Sequence, residues 1–190
     1  LDVVVEGDGV AFARRLAHTF QGRLQLHEQF GTATLELSTS HIRLDVASCR
    51  KESYPAPAAY PRVSPGTLRD DLARRDFTIN AMALRINLAR FGDLHDPFRG
   101  AEDLRARRLR VLHAKSFVDD PSRILRAVRF AQRFGLRLER RTARWLCQAL
   151  AAGLLARLNR GRLRKELERL LAEPDPKACL SCLGRWLRSS

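Results

Sequence analysis

Between Phe117 and Phe134 the chain reads Phe-Val-Asp-Asp-Pro-Ser-Arg-Ile-Leu-Arg-Ala-Val-Arg-Phe-Ala-Gln-Arg-Phe, which joins two adjacent carboxylates to four regularly spaced guanidinium groups. Pro121 suits the first position of a helix, Asp120 before it can serve as the N-cap, and Gly135 is placed to end the helix. At about 100° per residue, Arg123, Arg126, Arg129 and Arg133 fall within one arc of roughly a third of the circumference. Ile124, Ala127, Val128, Ala131 and Phe134 fall on the other side. Such a helix packs on a core and presents guanidinium groups to a ligand; the plainer alternative is a solvated basic face. A second polar cluster stands upstream in Arg74-Arg75-Asp76-Phe77-Thr78-Ile79-Asn80-Ala81. A guanidinium is a planar fork for phosphate or ribose oxygens, and the alternative here is an Arg–Asp pair that fixes the turn of a helix.

The elements that must hold these groups are legible from pattern. Leu1 to Glu6 reads as a buried strand, Gly7-Asp8-Gly9 as a turn, and Val10 to Phe20 has helical spacing. Three strand-like runs follow, Leu24–His27, Ala33–Leu37 and Ile42–Ala47, separated by turn residues at Gly31-Thr32 and Ser38–Ser40. Strand, helix and antiparallel meander make a small α/β domain. No Gly-x-Gly-x-x-Gly occurs, which argues against a dinucleotide site of the Rossmann kind. Residues 50–66 read as a Pro-, Ala- and Tyr-rich loop, Thr67 as a helix cap, and Leu84–Leu88 as a strand. Helical patterns return at Thr142–Ala152, Leu163–Ala172 and Lys177–Leu187.

Charge divides the chain unevenly. Of the net +14, residues 1–104 contribute −1, from 13 Lys/Arg against 14 Asp/Glu, and residues 105–190 contribute +15, from 22 against 7. A nearly neutral part followed by a strongly basic one suggests a catalytic part joined to a part that holds a polyanion, with nucleic acid favoured over an anionic membrane. No apolar run approaches the length that spans a bilayer, and no signal-peptide pattern opens the chain. The sequence begins without Met, in mid-strand, and so reads as a fragment whose upstream part is missing. Cys179-x-x-Cys182 is half of a zinc pattern, but no second pair or nearby His completes it. With Cys49 and Cys147, these residues are read as core thiols.

The octet Arg74–Ala81 and the run Asp119-Asp120-Pro121-Ser122-Arg123-Ile124-Leu125-Arg126 are long and specific. Together with Asp96-Pro97-Phe98-Arg99-Gly100 and Arg162 to Glu166, they resemble the class II nucleotidyltransferases of the polymerase-β superfamily. These are the bacterial tRNA CCA-adding enzymes and their poly(A) polymerase relatives. The resemblance covers nearly the whole chain. It implies an α/β head with a mixed, polymerase-β-like sheet in residues 1–104, followed by an all-α neck and the start of a body in residues 105–190. It also implies transfer of CMP and/or AMP from CTP and ATP to the 3′ end of a cytoplasmic tRNA, with Mg²⁺ as cofactor, no membrane and no obligate protein partner. A poly(A) polymerase and a non-catalytic RNA-binding module are the alternatives.

Asp2 matches the second carboxylate of the family's Asp-x-Asp metal motif, with the first falling outside this sequence, as does the family's glycine-rich triphosphate segment. The chain alone is therefore expected to be weakly active or inactive. Asp45 is the candidate for a third catalytic carboxylate, the alternative being a polar residue on an exposed strand face. By resemblance Arg75 contacts nucleotide and Asp76 supports the ribose side or the arginines. Asp120 and Arg123 form a protein template for the base edge, and Arg126 and Arg129 contact nucleotide or phosphate. A carboxylate accepts from the exocyclic amines of cytosine and adenine, which uracil lacks, so such a pair can select C and A without a nucleic-acid template. Asp119 stands where the family usually has Glu, and Gly161 where an acidic residue is common.

Overall fold

Strand β1 (Asp2–Val5) runs parallel to β4 (Ile42–Ser48), and β4, β3 (Thr32–Leu37) and β2 (Arg23–His27) follow as an antiparallel meander in the order β1-β4-β3-β2. The computed structural model describes residues 1–27, 31–37 and 42–188, so the turn expected at Ser38–Ser40 lies outside the described residues. A parallel pair needs a long connection between its strands, and here that connection contains α1 (Gly9–Phe20). Ala13 of α1 is fully buried with Ala33 and Val46, and Val3, Phe12, Leu24 and Leu44 pack around them. Asp8 caps α1 by accepting from the Ala11 N–H at 2.9 Å. Gly9 starts the helix against β4: its N–H donates to Ser48 Oγ at 2.9 Å, and a Cβ there would lie 2.7 Å from the Ser48 nitrogen.

Residues 50–66 hold more than the expected loop. Arg50–Ser53 (β5) and Arg62–Pro65 (β6) pair antiparallel. Arg-Lys-Glu-Ser and Arg-Val-Ser-Pro carry no apolar alternation, because this ribbon is held through its backbone and presents mostly polar side chains. Next, α2 (Leu68–Ala73) opens on Thr67 with a reciprocal capping box to Asp70, and Glu6 accepts from the Leu68 N–H at 2.7 Å. These elements form one compact unit, Leu1–Ser53 with Arg62–Arg74; Tyr54–Pro61 and Arg75–Ser190 form the other.

The second unit begins with short elements. The strand expected at Leu84–Leu88 shrinks to β7 (Ala83–Leu84), paired with β8 (Leu94–His95), and a 3₁₀ turn takes Leu88–Arg90. Ile86 is 58% exposed and Leu88 99%, so no core side exists to hold a longer strand. After α3 (Gly100–Arg105), β9 (Arg108–Leu109) pairs in parallel with β10 (Arg137–Leu138). Five further helices follow among the described residues: α4 (Ser116–Asp119), α5 (Ser122–Phe134), α6 (Arg140–Ala151), α7 (Arg160–Leu171) and α8 (Pro176–Arg188).

The arginine-rich helix α5 is the centre of this unit. Ile124, Ala127 and Ala131 pack with Phe77, Leu109, Phe117 and Leu146, whereas Leu125 and Val128 pack with Leu170, Cys179 and Cys182. The helix thus serves two cores. Gly135 ends it in the left-handed conformation, at φ 60°. Phe134, expected on the apolar face, is 45% exposed at the last turn. Among the described residues no helix is long and apolar enough to cross a membrane.

Candidate functional site

In the first unit, parallel pairing sets Asp2 of β1 directly beside Asp45 of β4. Register partners on neighbouring strands are about 4.8 Å apart and point to the same face, so the two carboxylates share one face of the sheet. Thr34, the partner of Asp45 on β3, donates from its hydroxyl to Asp45 Oδ1 at 2.7 Å, and Arg43 donates from Nη2 at 3.3 Å. The Thr34 hydroxyl, with the Arg43 guanidinium beside it, holds the Asp45 carboxyl below the usual carboxylate range. Asp45 is therefore ionised at neutral pH. Two adjacent carboxylates suit a hard divalent cation that takes its remaining oxygens from water and substrate phosphates. No group of three or more His, Cys, Asp or Glu among the described residues offers a complete metal cage.

In the second unit, the junction of α4 and α5 places Asp120. Its Oδ1 accepts from the Ser122 N–H at 3.0 Å, from Ser122 Oγ at 2.5 Å and from Arg162 Nη2 of α7 at 2.5 Å. All three bonds fall on one oxygen, and none falls on Oδ2 among the described residues. The expected cap is therefore present, although Pro121 itself stands at the helix boundary. Arg162 also reaches the Ala58 carbonyl at 3.4 Å, and its guanidinium lies over the Tyr60 ring at 5.5 Å from the centroid. The Ala58 N–H in turn donates to the Val118 carbonyl at 3.1 Å. A carboxylate, a guanidinium and a 66% exposed aromatic ring thus converge from three separate stretches of chain.

The remaining arginines of α5 do not form the open face read from their spacing. Arg123 is 4% exposed, and its Nη1 donates to Ser116 Oγ at 2.7 Å. Arg126 pairs with Asp76 through Nε at 2.8 Å and Nη2 at 2.6 Å. Arg129 reaches Glu173 at 2.9 Å and Glu166 at 3.4 Å, and Arg133 reaches Glu173 at 2.7 Å. Helical period alone does not reveal these partners, because Asp76, Glu166 and Glu173 are distant in sequence. Asp76 is 7% exposed; its Oδ1 accepts from the Phe77 N–H and from Asn80 Nδ2, and its Oδ2 takes Arg126. It pairs with an arginine of α5. Arg75 is half-buried beside it. The neighbouring Arg74 pairs with Asp71 and Glu52 in the first unit, so the Arg–Asp pair at this helix end joins the first residue of the octet to Asp71, which lies before it.

Arg162, Tyr60 and Ser116 were not among the site residues read from sequence. Arg162 lies in the Arg162–Glu166 stretch that carries part of the resemblance, and Tyr60 in the Pro-, Ala- and Tyr-rich segment, but neither pattern points to Asp120. Ser116 carries no signal.

Residues 1–110 match the family defined by the poly(A) polymerase head domain. The chain belongs to this family. As a poly(A) polymerase head-domain protein, it is 43% identical over 185 residues to an A-adding tRNA nucleotidyltransferase of Halalkalibacterium halodurans, an alignment that covers 96% of this chain and 43% of that protein. The fold of this head-domain protein superposes on a CCA-adding enzyme in an apo form with a TM-score of 0.94 at 45% identity, covering 97% of this chain and 43% of that one. A tRNA nucleotidyltransferase complexed with a primer tRNA and an incoming ATP analogue superposes with a TM-score of 0.88 at 40% identity, covering 97% and 51%. The head-domain chain thus spans about half the length, or less, of the relatives it matches.

Proposed function

We propose that this chain is the nucleotide-selecting and catalytic part of a template-independent RNA nucleotidyltransferase, adding CMP and/or AMP from CTP and ATP to the 3′ end of tRNA. Residues 1–104 serve as the head and residues 105–190 as the helical neck. The observation that carries the reading is Asp120, whose Oδ1 is fixed by Ser122 and Arg162 while Oδ2 takes no protein donor among the described residues. An immobilised acceptor suits an exocyclic amine, which cytosine and adenine both present. Arg123 supplies the donor half of the template, with Ser116 fixing its position. Arg75 and Asp76 hold the sugar-phosphate side of the nucleotide, and Arg126 and Arg129 act from their carboxylate partners to keep α5 in place and to face phosphate. The exposed Tyr60 ring offers a stacking surface for the base.

Asp2 and Asp45 are the residues to hold Mg²⁺, whose chemistry when bound is to offset phosphate charge and to lower the pKa of the attacking hydroxyl. The reaction joins the RNA 3′-oxygen to the α-phosphorus of the nucleotide and releases pyrophosphate, so it needs positioning and charge compensation more than covalent chemistry. A tRNA substrate places the protein in the cytoplasm.

The test gives the protein, as its gene encodes it, a tRNA ending at the discriminator base, Mg²⁺ and each nucleotide singly or in pairs, and then sequences the 3′ ends. Ends extended by C, CC, CCA or a single A are the expected products. A long A tail would replace this reading with a poly(A) polymerase. RNA binding without any addition would replace it with a binding module.

A further inference from the structure

A second basic surface lies at the far end of α5 from Asp120. The helix has 13 residues, and at 1.5 Å per residue this separates its ends by about 20 Å. Around Gly135, just past its last turn, a hollow near 680 Å³ in volume is lined by Arg105, Arg107, Arg137 and Arg140. All four are exposed, and none makes a side-chain hydrogen bond or ion pair among the described residues. The backbone concentrates them: parallel pairing of β9 with β10 sets Arg108 beside Arg137, and the Arg137 N–H donates to the Arg107 carbonyl at 2.9 Å. Arg107 itself sits at φ 51°, a left-handed conformation uncommon for a side chain of its size.

The carboxylates nearby are already engaged. Glu139, which also lines the hollow, accepts from the Thr142 N–H at 3.0 Å to cap α6, and Glu102 is paired with Arg99 and Arg108. Across Arg108 and Glu139 the surface continues into a second hollow near 400 Å³, where Arg141 and the half-buried Trp145 stand together. Four such guanidinium forks in one concavity suit a run of phosphates, which they can bind bidentately. An indole beside them suits a base or ribose face. The distance from Asp120 is too great for a single nucleotide, so this is not a second view of the base-reading site.

We infer that the Arg105–Arg107–Arg137–Arg140 hollow is a docking surface for the phosphodiester backbone of the RNA substrate, away from the end being extended. The inference rests on the RNA-modifying reading above for the identity of the polyanion. An anionic membrane is disfavoured because the arginines line a concavity, which fits a rod-like phosphodiester chain better than a flat bilayer surface.

The decisive experiment measures tRNA affinity against salt for the unaltered protein and for R105Q/R107Q/R137Q/R140Q. A second variant, R15Q/R23Q/R62Q/R69Q, removes the same charge elsewhere. Each phosphate that the protein no longer neutralises flattens the plot of log affinity against log salt by about 0.9 for duplex and about 0.7 for single strands. The first variant should therefore flatten it by about 3 and weaken binding at least tenfold at moderate salt. The second variant should change the slope much less, and Arg→Lys at the same four positions should retain most of it. Thermal melts of each variant confirm that it is folded. Equal loss in both glutamine variants, or an unchanged slope in the first, overturns the inference, as does binding to anionic vesicles that depends on these four residues while RNA binding does not. Nucleotide addition by the unaltered protein is scored separately: its absence counts against the proposed activity, whereas RNA affinity still reads out the docking surface.

Discussion

Because Ser122 and Arg162 donate to the same oxygen of Asp120, the carboxylate is held in one orientation before any nucleotide arrives. Preorganisation of this kind makes a hydrogen bond selective, since a base with the wrong edge leaves a buried or fixed acceptor unmatched. Asp120→Asn keeps the size of the side chain but exchanges an acceptor for a donor on one side. A hydrogen bond to a charged group is worth about 1.5–3 kcal/mol, so kcat/KM for the preferred nucleotide should fall roughly 10- to 100-fold, with discrimination against UTP relaxed. Single-nucleotide kinetics on a tRNA primer check this, with a melt to separate the effect from loss of the α5 cap. Unchanged selectivity in a folded Asp120→Asn protein would remove Asp120 from base reading. Asp120 was legible in the sequence because the signal is local: two carboxylates before a proline at a helix start. Arg162 was legible only through the Arg162–Glu166 match; its pairing with Asp120 was not, since that depends on α7 returning to the start of α5, 42 residues away.

At the scale of elements, α5 is held to the segment that follows α7 by Glu173, which is 5% exposed and takes Arg129 at 2.9 Å and Arg133 at 2.7 Å. Burial pushes the Glu173 carboxyl up, but the two guanidinium groups outweigh it and hold the group below the ordinary glutamate range. The folded pKa is depressed, so the stabilisation is fully present above the unfolded value, near 4.3, and is lost as pH falls through the folded value. Glu173→Gln should cost about 2–4 kcal/mol at neutral pH, the lower part of the range reflecting the partial exposure of Arg133. The same variant should show a flatter loss of stability in acid. Urea unfolding at pH 7 and at pH 4 checks both, and an equal pH slope in variant and parent would assign the acid sensitivity elsewhere. The helix α5 itself was readable from its period and its Gly135 stop, but its environment was not. Spacing distinguishes an arginine stripe from an apolar one; it does not say whether carboxylates from α7 and beyond will cover that stripe. The strands β5 and β6 are likewise not legible in the sequence, because a ribbon joined through its backbone imposes no alternation on its side chains.

At the scale of the molecule, the residues given the two proposed roles come from different compact units. The first unit contributes Asp2 and Asp45 in register on neighbouring strands; the second contributes the Asp120–Arg162 pair and the arginine hollow. Asp45 became a paired candidate only through topology, since strands some 40 residues apart in sequence meet by a parallel pairing that local pattern does not dictate. If the proposed roles hold, the two sets of residues should fail in different ways. Asp45→Asn leaves the base template and the RNA surface untouched while removing a charge from the phosphoryl-transfer centre, an effect worth several kcal/mol of transition-state stabilisation. It should lower kcat by about 10²–10³-fold, with tRNA affinity and the ratio of CTP to UTP use little changed. Asp120→Asn should instead alter that ratio at unchanged tRNA affinity. Measuring kcat, nucleotide preference and tRNA Kd for both variants therefore separates transfer from selection. A shift of nucleotide preference in Asp45→Asn would show that the strand-face carboxylate reads the base as well, and unaltered kcat would return Asp45 to the alternative of a solvated residue held by Thr34 and Arg43.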